Sequence, residues 1–259
     1  MCPELFRIGD IVISTYGVLV AIGMIVTFYV ALYFGKKEGL EERQVENLFF
    51  FTIIGGLIGA RIAYIIEHPD QFKKAIDYIA IWKGGIDWFG AFIGGALILI
   101  FLIKKYQLNI LKIGDVAGIS IVIGHGIGRL GCTAAGCCYG KPVPEHSLWE
   151  HFSITFPQGS AAPPGMHLYP TQPLEAIGNF LIFIFLFFVY KKKSFDGQIL
   201  SLYLVLYGFE RFLLEFLRGV TPPLPVIGIT WNQVISLGMV LAGVLVYIYG
   251  MKKRSLSTV

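Results

Sequence analysis

The chain has 259 residues, of which 55% are hydrophobic and 15% are charged, and its mean hydropathy is +0.69. This composition is typical of a polytopic membrane protein and leaves little room for a separate soluble domain. The net charge of +4 is not accompanied by a basic stripe interleaved with aromatic residues, so no nucleic-acid partner is expected.

Seven apolar stretches are long enough to cross a hydrocarbon core, which takes about 20 residues per helix. They predict an all-α polytopic membrane protein with a single domain, residues 1–259. The predicted transmembrane helices are 12–35, 47–66, 87–103, 113–133, 174–190, 198–217 and 231–250. The ten residues at the start lack the features of a cleavable signal peptide, so the first span is expected to act as its own insertion signal.

The lysines and arginines between the spans predict the orientation of the bundle. Twelve of them follow the first, third, fifth and seventh spans, whereas six lie on the opposite side. Because cytoplasmic loops carry an excess of Lys and Arg, the C-terminus is expected in the cytoplasm. With seven spans, the N-terminus is then expected outside.

Two connecting segments on the predicted outer side are long. Residues 67–86 include an amphipathic stretch rich in Ile, Tyr and Trp, which is expected to lie flat at the membrane interface. Residues 139–173 form a Pro- and Gly-rich head, whose SITF run is compatible with a short strand. The head is either a cap that recognises a substrate or a plain connector, and long loops without regular structure favour the first interpretation.

Three arginines, Arg61, Arg129 and Arg211, lie inside predicted spans. A guanidinium group cannot shed its charge, and three facing lipid would cost about 8–10 kcal/mol on insertion scales. They are therefore expected to face acidic partners, a hydrated cavity or an anionic ligand. Since phospholipid head groups are the abundant anions at this depth, the arginines predict a phosphate-binding site.

Two motifs place these arginines on helix faces. In GHGIGRLGCTAAGCCYG, His125 precedes Arg129 by four residues, so both project from one face among glycines that allow close approach. In FERFLLEFLRG, Arg211, Glu215 and Arg218 share one helical stripe. Glu215 can neutralise one arginine while the other binds phosphate oxygens, and a purely structural ion-pair ladder is the alternative.

The remaining polar residues carry weaker signals. Tyr16 is suited either to a polar network or to binding a ligand. Gln172 and Glu175 stand beside Pro173, and this pattern is mainly typical of the first turn of a helix. The four cysteines are all predicted on the outer side, where disulfides are permitted. They are Cys2, Cys132, Cys137 and Cys138. Because no CxxC is present, a metal site completed by His125, His146, His151 or His167 is a less favoured interpretation than a disulfide or free thiols.

The order of these motifs resembles the prolipoprotein diacylglyceryl transferases of bacteria, and the resemblance covers nearly the whole chain. The matching segments are STYG, GGLIGARIAY, WKGGIDWFGAFIGG, KIGDVAG, GRLGCTAAGCCYG, LYPTQPLEA and LYGFERFLLEFLRG followed by WNQVISLGM. The resemblance implies a seven-span enzyme of the bacterial inner membrane with an extracytoplasmic head. Such an enzyme transfers diacylglycerol from phosphatidylglycerol to the lipobox cysteine of prolipoprotein signal peptides and releases glycerol phosphate, without a cofactor or metal.

The resemblance also implies roles for individual residues. Arg129 matches the arginine of the family's signature stretch, and Arg211 matches the second arginine that acts on the phospholipid. With His125 as candidate base, these two arginines are the expected catalytic residues. The expected substrate-binding residues are Tyr16, Arg61, Gly90, Gly140, Glu215 and Arg218, and Asp115 also falls in place.

The chain departs from the family pattern around the expected base. Phe89 stands where the family usually has a His that has been considered a proton acceptor, and Cys132 and Cys137 replace an Asn and an acidic residue. Since cationic groups favour the thiolate form of a nearby thiol, the arginines can themselves help to create the nucleophile. If a base is required, His125 is the first candidate and His167 the second.

Other functions stay open at this point. A membrane thiol oxidoreductase would use the outer cysteines, although the CxxC motif is missing. A lipid or anion transporter would use the buried arginines, although the chain has no internal repeat. A related lipid-modifying enzyme with a different acceptor is the third alternative.

Overall fold

The computed structural model describes residues 4–8, 11–72, 74–80, 84–224 and 228–257. Two compact units make up the chain, one from Met1–Ala31 with Gly114–Val259 and the other from Leu32–Ile113. Cys2, one of the four cysteines, and Lys73 and Lys83, two of the charges that predict the orientation, lie outside the described residues.

The described elements are a hairpin followed by helices. Strand β1, Glu4–Ile8, pairs antiparallel with β2, Ile11–Ser14. The helices are α1 Thr15–Lys37, α2 Glu42–Glu67, α3 Ala75–Ile79, α4 Trp88–Lys105, α5 Ile110–Ala135, α6 Thr171–Tyr190, α7 Gln198–Glu215 and α8 Trp231–Ser257. The seven long helices coincide with the seven predicted stretches. The first begins three residues later than predicted, because residues 11–14 pair with β1 instead.

Six of the described helices are long and apolar enough to cross a membrane, namely α1, α2, α4, α5, α6 and α8. Helix α7 has 18 residues, but Glu210, Arg211 and Glu215 make it too polar to qualify by composition. The prediction of a helical, multi-span membrane protein is therefore confirmed for six candidate spans. The seventh span stays a prediction.

Within the unit Leu32–Ile113, glycines bring α2 and α4 together. A Cβ added at Gly59 would overlap the carbonyl oxygen of Gly90, and one added at Gly94 would overlap that of Gly55. Small residues of this kind allow two helix backbones to approach closely in a membrane. The segment 67–86, expected as one amphipathic stretch, forms a 3-10 turn at Pro69–Gln71 and the short helix α3 in its described part.

In the other unit, a buried carboxylate fixes the start of α7. Asp115 of α5 accepts hydrogen bonds from the backbone N–H groups of Gly197 and Leu200, each at 2.8 Å, and lies 2.8 Å from Lys193 Nζ. These contacts satisfy donors that a helix N-terminus leaves free. Asp115, which matches a position of the family pattern, therefore ties α5 to α7.

The head ends at residue 170, because α6 begins at Thr171, three residues before the predicted span. Its buried core consists of Phe156, Ala162 and Leu168. The SITF run contributes isolated bridges from Ile154 and Phe156 rather than a continuous strand. The head is thus an ordered element with a small apolar core of its own.

The glycine contact between α2 and α4 is testable with one substitution. We expect Gly94→Ala to lower the thermal midpoint of the purified protein in detergent, because overpacking costs about 1–3 kcal/mol. The matched control is Gly238→Ala in α8, where an added Cβ meets no atom within 4 Å. Equal midpoints for the two variants would contradict the close approach of the helices.

Candidate functional site

The first buried ion pair joins α5 to α6. Arg129 Nη2 lies 2.8 Å from Glu175 Oε1, and His125 Nε2 lies 3.7 Å from the same oxygen. His125 and Arg129 meet one carboxylate because their four-residue spacing places them on one face of α5. Glu175 is 1% exposed. Glu175 is therefore the counter-ion of Arg129, whereas the sequence predicted mainly a role at the start of the helix.

The second ion pair centres on Glu215 at the end of α7. Arg211 Nη1 lies 2.6 Å from Glu215 Oε2, and Arg218 Nε lies 4.0 Å from it. Thr230 Oγ1 and Asn232 Nδ2 donate to the other carboxylate oxygen at 3.0 and 2.9 Å. Glu215 thereby joins the end of α7 to the start of α8 and neutralises part of the arginine stripe predicted from the sequence.

Gly140 and Arg218 hold the ends of two motifs together. They form an antiparallel bridge, in which Lys141 N–H donates to Leu217 O at 2.8 Å and Gly219 N–H donates to Tyr139 O at 3.2 Å. A Cβ added at Gly140 would overlap the backbone of Tyr169. The last glycine of the signature stretch is therefore required by a close backbone approach that only glycine allows.

The two ion pairs share a set of neighbours. His125, Tyr207 and Glu210 each lie within electrostatic range of both Arg129 and Arg211. The rings of His125 and Tyr207 are 5.2 Å apart. The structure thus brings together three predicted site residues, His125, Arg129 and Arg211, around side chains contributed by α7.

Tyr207 and Glu210 were missed by the sequence reasoning. Both carboxylate oxygens of Glu210 are buried and have no hydrogen-bond partner among the residues that the structure describes. They press against Gly178 of α6, where a Cβ would overlap them. The available signals were a third acidic residue within an apolar helix, and the spacing of Tyr207 one turn before Arg211.

Several buried guanidinium atoms around the two ion pairs have no hydrogen-bond partner in the described residues. They are Arg129 Nε, Arg211 Nη1 and Arg218 Nε. Arg211 Nη1 nevertheless lies 2.6 Å from Glu215 Oε2, so this ion pair already compensates its charge. A buried donor left unpaired costs about 1–3 kcal/mol. An anion that accepts from these groups would recover this cost.

Arg61 has a different environment in the other unit. Its guanidinium donates to the backbone carbonyls of Tyr78 at 3.1 Å, Gly84 at 2.8 Å and Gly85 at 2.6 Å, and also to that of Asp77. These bonds fasten the chain after α3 to α2. Gly90 lies in the contact between α2 and α4, where a Cβ would overlap Ala63 and the carbonyl oxygen of Gly59. The substrate-binding roles assigned to Arg61 and Gly90 stay predictions.

Two further sequence candidates occupy separate places. Tyr16 lies against the signature helix, since a Cβ at Gly131 would stand 3.3 Å from its ring. His167, the second candidate base, is exposed in the head, and its Nδ1 lies 2.7 Å from Ser153 Oγ.

Among the described residues, Cys132, Cys137 and Cys138 are the group that could hold a metal ion, and all three are free thiols. Hydrogen bonding to Cys132 and then to Cys138 raises the pKa of the Cys137 thiol. The pKa of Cys138 is lowered, because its sulfur accepts hydrogen bonds from Cys132 and Cys137.

Comparison with known proteins gives one family. The family model described as prolipoprotein diacylglyceryl transferase matches residues 3–249. A Clostridium tetani protein named phosphatidylglycerol–prolipoprotein diacylglyceryl transferase is 35% identical over 250 residues, which cover 95% of this chain and 97% of that protein. A Finegoldia magna protein of the same name is 33% identical over 245 residues, covering 94% and 93%. The resemblance inferred from the motifs is thereby confirmed.

The role of Glu215 as a shared counter-ion can be tested by stability. We expect Glu215→Gln to lower the thermal midpoint strongly, because breaking a buried ion pair from one side costs about 3–5 kcal/mol. The matched control is Glu145→Gln at an exposed position of the head, which should leave the midpoint unchanged. A Glu215→Gln variant as stable as this control would contradict the role.

Proposed function

Because the chain belongs to the prolipoprotein diacylglyceryl transferase family, we propose that it transfers the diacylglyceryl group of phosphatidylglycerol to the lipobox cysteine of prolipoproteins. The cysteine sulfur forms a bond to the glyceryl carbon while the bond from that carbon to the phosphate oxygen breaks. Glycerol phosphate leaves, and the thiol proton passes to a base. The observation that carries the proposal is the group of buried guanidiniums on Arg129, Arg211 and Arg218, in which Arg129 Nε and Arg218 Nε have no hydrogen-bond partner among the described residues.

The proposed enzyme is embedded in a bacterial inner membrane through seven spans, which are the six candidate helices and, in addition, α7. The charges of α7 are compensated within the protein, since Arg211 pairs with Glu215. This pairing removes the main cost of placing the helix in a membrane. The excess of Lys and Arg after alternate spans supports an N-terminus outside, a cytoplasmic C-terminus and an extracytoplasmic head.

Arg129 and Arg211 are proposed to bind the phosphate of the lipid and to stabilise the charge that develops as glycerol phosphate leaves. Each guanidinium is oriented by its own carboxylate, Glu175 or Glu215, before the lipid arrives. Preorganised donors in a site of low dielectric constant stabilise a developing charge without reorganising during the reaction. Arg218 adds a donor from the chain that follows α7.

The other predicted substrate-binding residues are proposed to shape the site. Gly140 keeps the signature stretch against Arg218 through their backbone bridge, and Tyr16 borders the same stretch at Gly131. Arg61 and Gly90 are proposed to act indirectly, by fixing the chain after α3 and the packing of α4 on α2.

His125 is the proposed base for the lipobox thiol. Its contact with Glu175 orients the imidazole toward the face that carries Arg129. A proton acceptor is needed near the arginines, because Phe89 replaces the His that the family usually has in the third span. Phe89 is 64% exposed on α4 and has no group that accepts a proton.

The activity is tested by a mass shift. A lipobox peptide incubated with phosphatidylglycerol and purified protein should gain the mass of one diacylglyceryl group, with glycerol phosphate released. We expect Arg129→Ala and Arg211→Ala to lower the rate by about 10²–10³-fold, as for loss of one donor to a developing negative charge.

The control for these variants is Arg43→Ala, which removes the same group from an exposed position and should keep the full rate. Near-normal rates in both active-site variants would falsify the phosphate-binding role. Consumption of phosphatidylglycerol without a modified peptide would instead indicate a different acceptor.

The base is tested by two variants in the same assay. We expect His125→Gln to lower the rate by about 10²–10⁴-fold, the usual contribution of a general base. Glu210→Gln should keep most of the activity, because a buried carboxyl group without a partner is expected to be neutral already. The opposite outcome, with loss in Glu210→Gln alone, would assign the base to Glu210.

A further inference from the structure

Three cysteines converge where α5 ends. Gly136 follows the last residue of α5 with φ 71°, and its N–H bonds to Thr133 O. A positive φ at this position is the usual way in which a helix end turns the chain back. The turn returns Cys137 and Cys138 toward Cys132, which lies in the last turn of α5. A side chain at Gly136 would collide with Ser160 and Phe156 of the head.

Side chains of α6 hold this turn in place. Gln172 Nε2 donates to Cys137 O at 2.9 Å, and Thr171 Oγ1 donates to Cys138 O at 3.1 Å. Both donors are 1% exposed. Cys138 itself has φ 59°, a left-handed conformation that is uncommon outside glycine. Such conformations persist where the surroundings over-determine them, and they cluster at functional sites.

The sulfur positions fit a single thiophilic ion. The three Sγ atoms all lie within 4.8 Å of one another. Three sulfurs bound to one zinc ion at about 2.3 Å stand about 3.8–4.0 Å apart. The upper limit of 4.8 Å exceeds this spacing by about 1 Å.

We propose that Cys132, Cys137 and Cys138 form a binding site for one thiophilic d10 metal ion, Zn(II) or Cu(I). Thiolates are the ligands that select these ions. Three thiolates around a divalent ion carry a net charge of −1, and Arg129 Nη1 lies 4.0 Å from Cys132 Sγ, where it offsets that charge. The fourth position of a zinc ion would be taken by a non-protein ligand.

The site adjoins the proposed phosphate-binding arginines but does not depend on the transfer reaction. Arg129 contacts Cys132 on one side and Glu175 on the other. Thr171 and Gln172, which anchor the cysteine turn, precede Glu175 in α6. A bound ion would therefore fix the position of Arg129 through two of its neighbours.

The ion is tested on the full chain, purified without oxygen and with its thiols reduced. We expect about one zinc or copper per chain by elemental analysis, as for a single thiolate site. After removal of the ion with a chelator, separate titrations with Zn(II) and with Cu(I) identify which ion binds. Titration with Co(II) should give the thiolate charge-transfer absorption and the ligand-field bands of a four-coordinate site.

The variants assign the ligands. The triple variant C132S/C137S/C138S should lose the metal and the Co(II) spectrum, whereas Cys2→Ser, the same substitution at the remaining cysteine, should keep both. If the triple variant does not fold, protection of the wild-type cysteines from alkylation by bound Zn(II) or Cu(I) gives the same assignment.

A disulfide within the cluster is the competing outcome. In protein isolated without oxygen and without an added reductant, it would show as an intact mass lower by two hydrogens and as fewer titratable thiols, and it would overturn the proposal. The same conclusion follows if neither Zn(II) nor Cu(I) binds to the reduced chain, or if metal content is equal in the wild type and the triple variant.

Discussion

A guanidinium group that cannot lose its charge must find compensation wherever an apolar helix buries it, and this constraint organises the larger unit of the structure. Arg129 meets Glu175 across α5 and α6, and Arg211 meets Glu215 at the junction of α7 with α8. Such pairs add little to stability, because the cost of desolvating two charges is close to the gain from bringing them together. Their retention is better explained by a task at the site than by the free energy of unfolding.

The buried arginines differ in what their donors contact. The guanidinium of Arg61 donates its hydrogen bonds to backbone carbonyls, which are neutral and fixed. It therefore holds the chain after α3 in place. Arg129 and Arg211 have charged partners, and Arg129 Nε has no hydrogen-bond partner within the described part of the chain. The sequence presents all three as arginines in apolar runs and cannot separate these situations, because the partners of Arg61 and Arg129 lie 16 or more residues away along the chain.

Much of the fold follows from apolar runs of membrane-spanning length, which predicted all seven long helices, including α7 despite its charges. The resemblance and the helical spacing also predicted that His125 lies on the same helix face as Arg129 and that Glu215 neutralises an arginine of its own helical stripe. The counter-ion of Arg129 was not predicted, because Glu175 lies 46 positions further along the chain on another helix. The cysteine cluster was not predicted either, since it is created by a left-handed turn at Gly136 and by anchors from α6 rather than by a recognisable spacing.

The charge balance of the site supports the proposal that it binds a singly charged lipid. Arg129, Arg211 and Arg218 supply three positive charges, and Glu175 and Glu215 supply two negative ones. Neither buried carboxylate oxygen of Glu210 has a hydrogen-bond partner within the described ranges, and a carboxyl group in such surroundings is more stable in its neutral form. With the neighbouring cysteines as neutral thiols, these side chains carry one uncompensated positive charge. In the proposed reaction, a phosphodiester with one negative charge would neutralise it and supply acceptors for the unpaired guanidinium donors. Glycerol phosphate would gain negative charge beside the same arginines as it leaves, so the site would stabilise the departing group more strongly than the bound lipid, as catalysis requires.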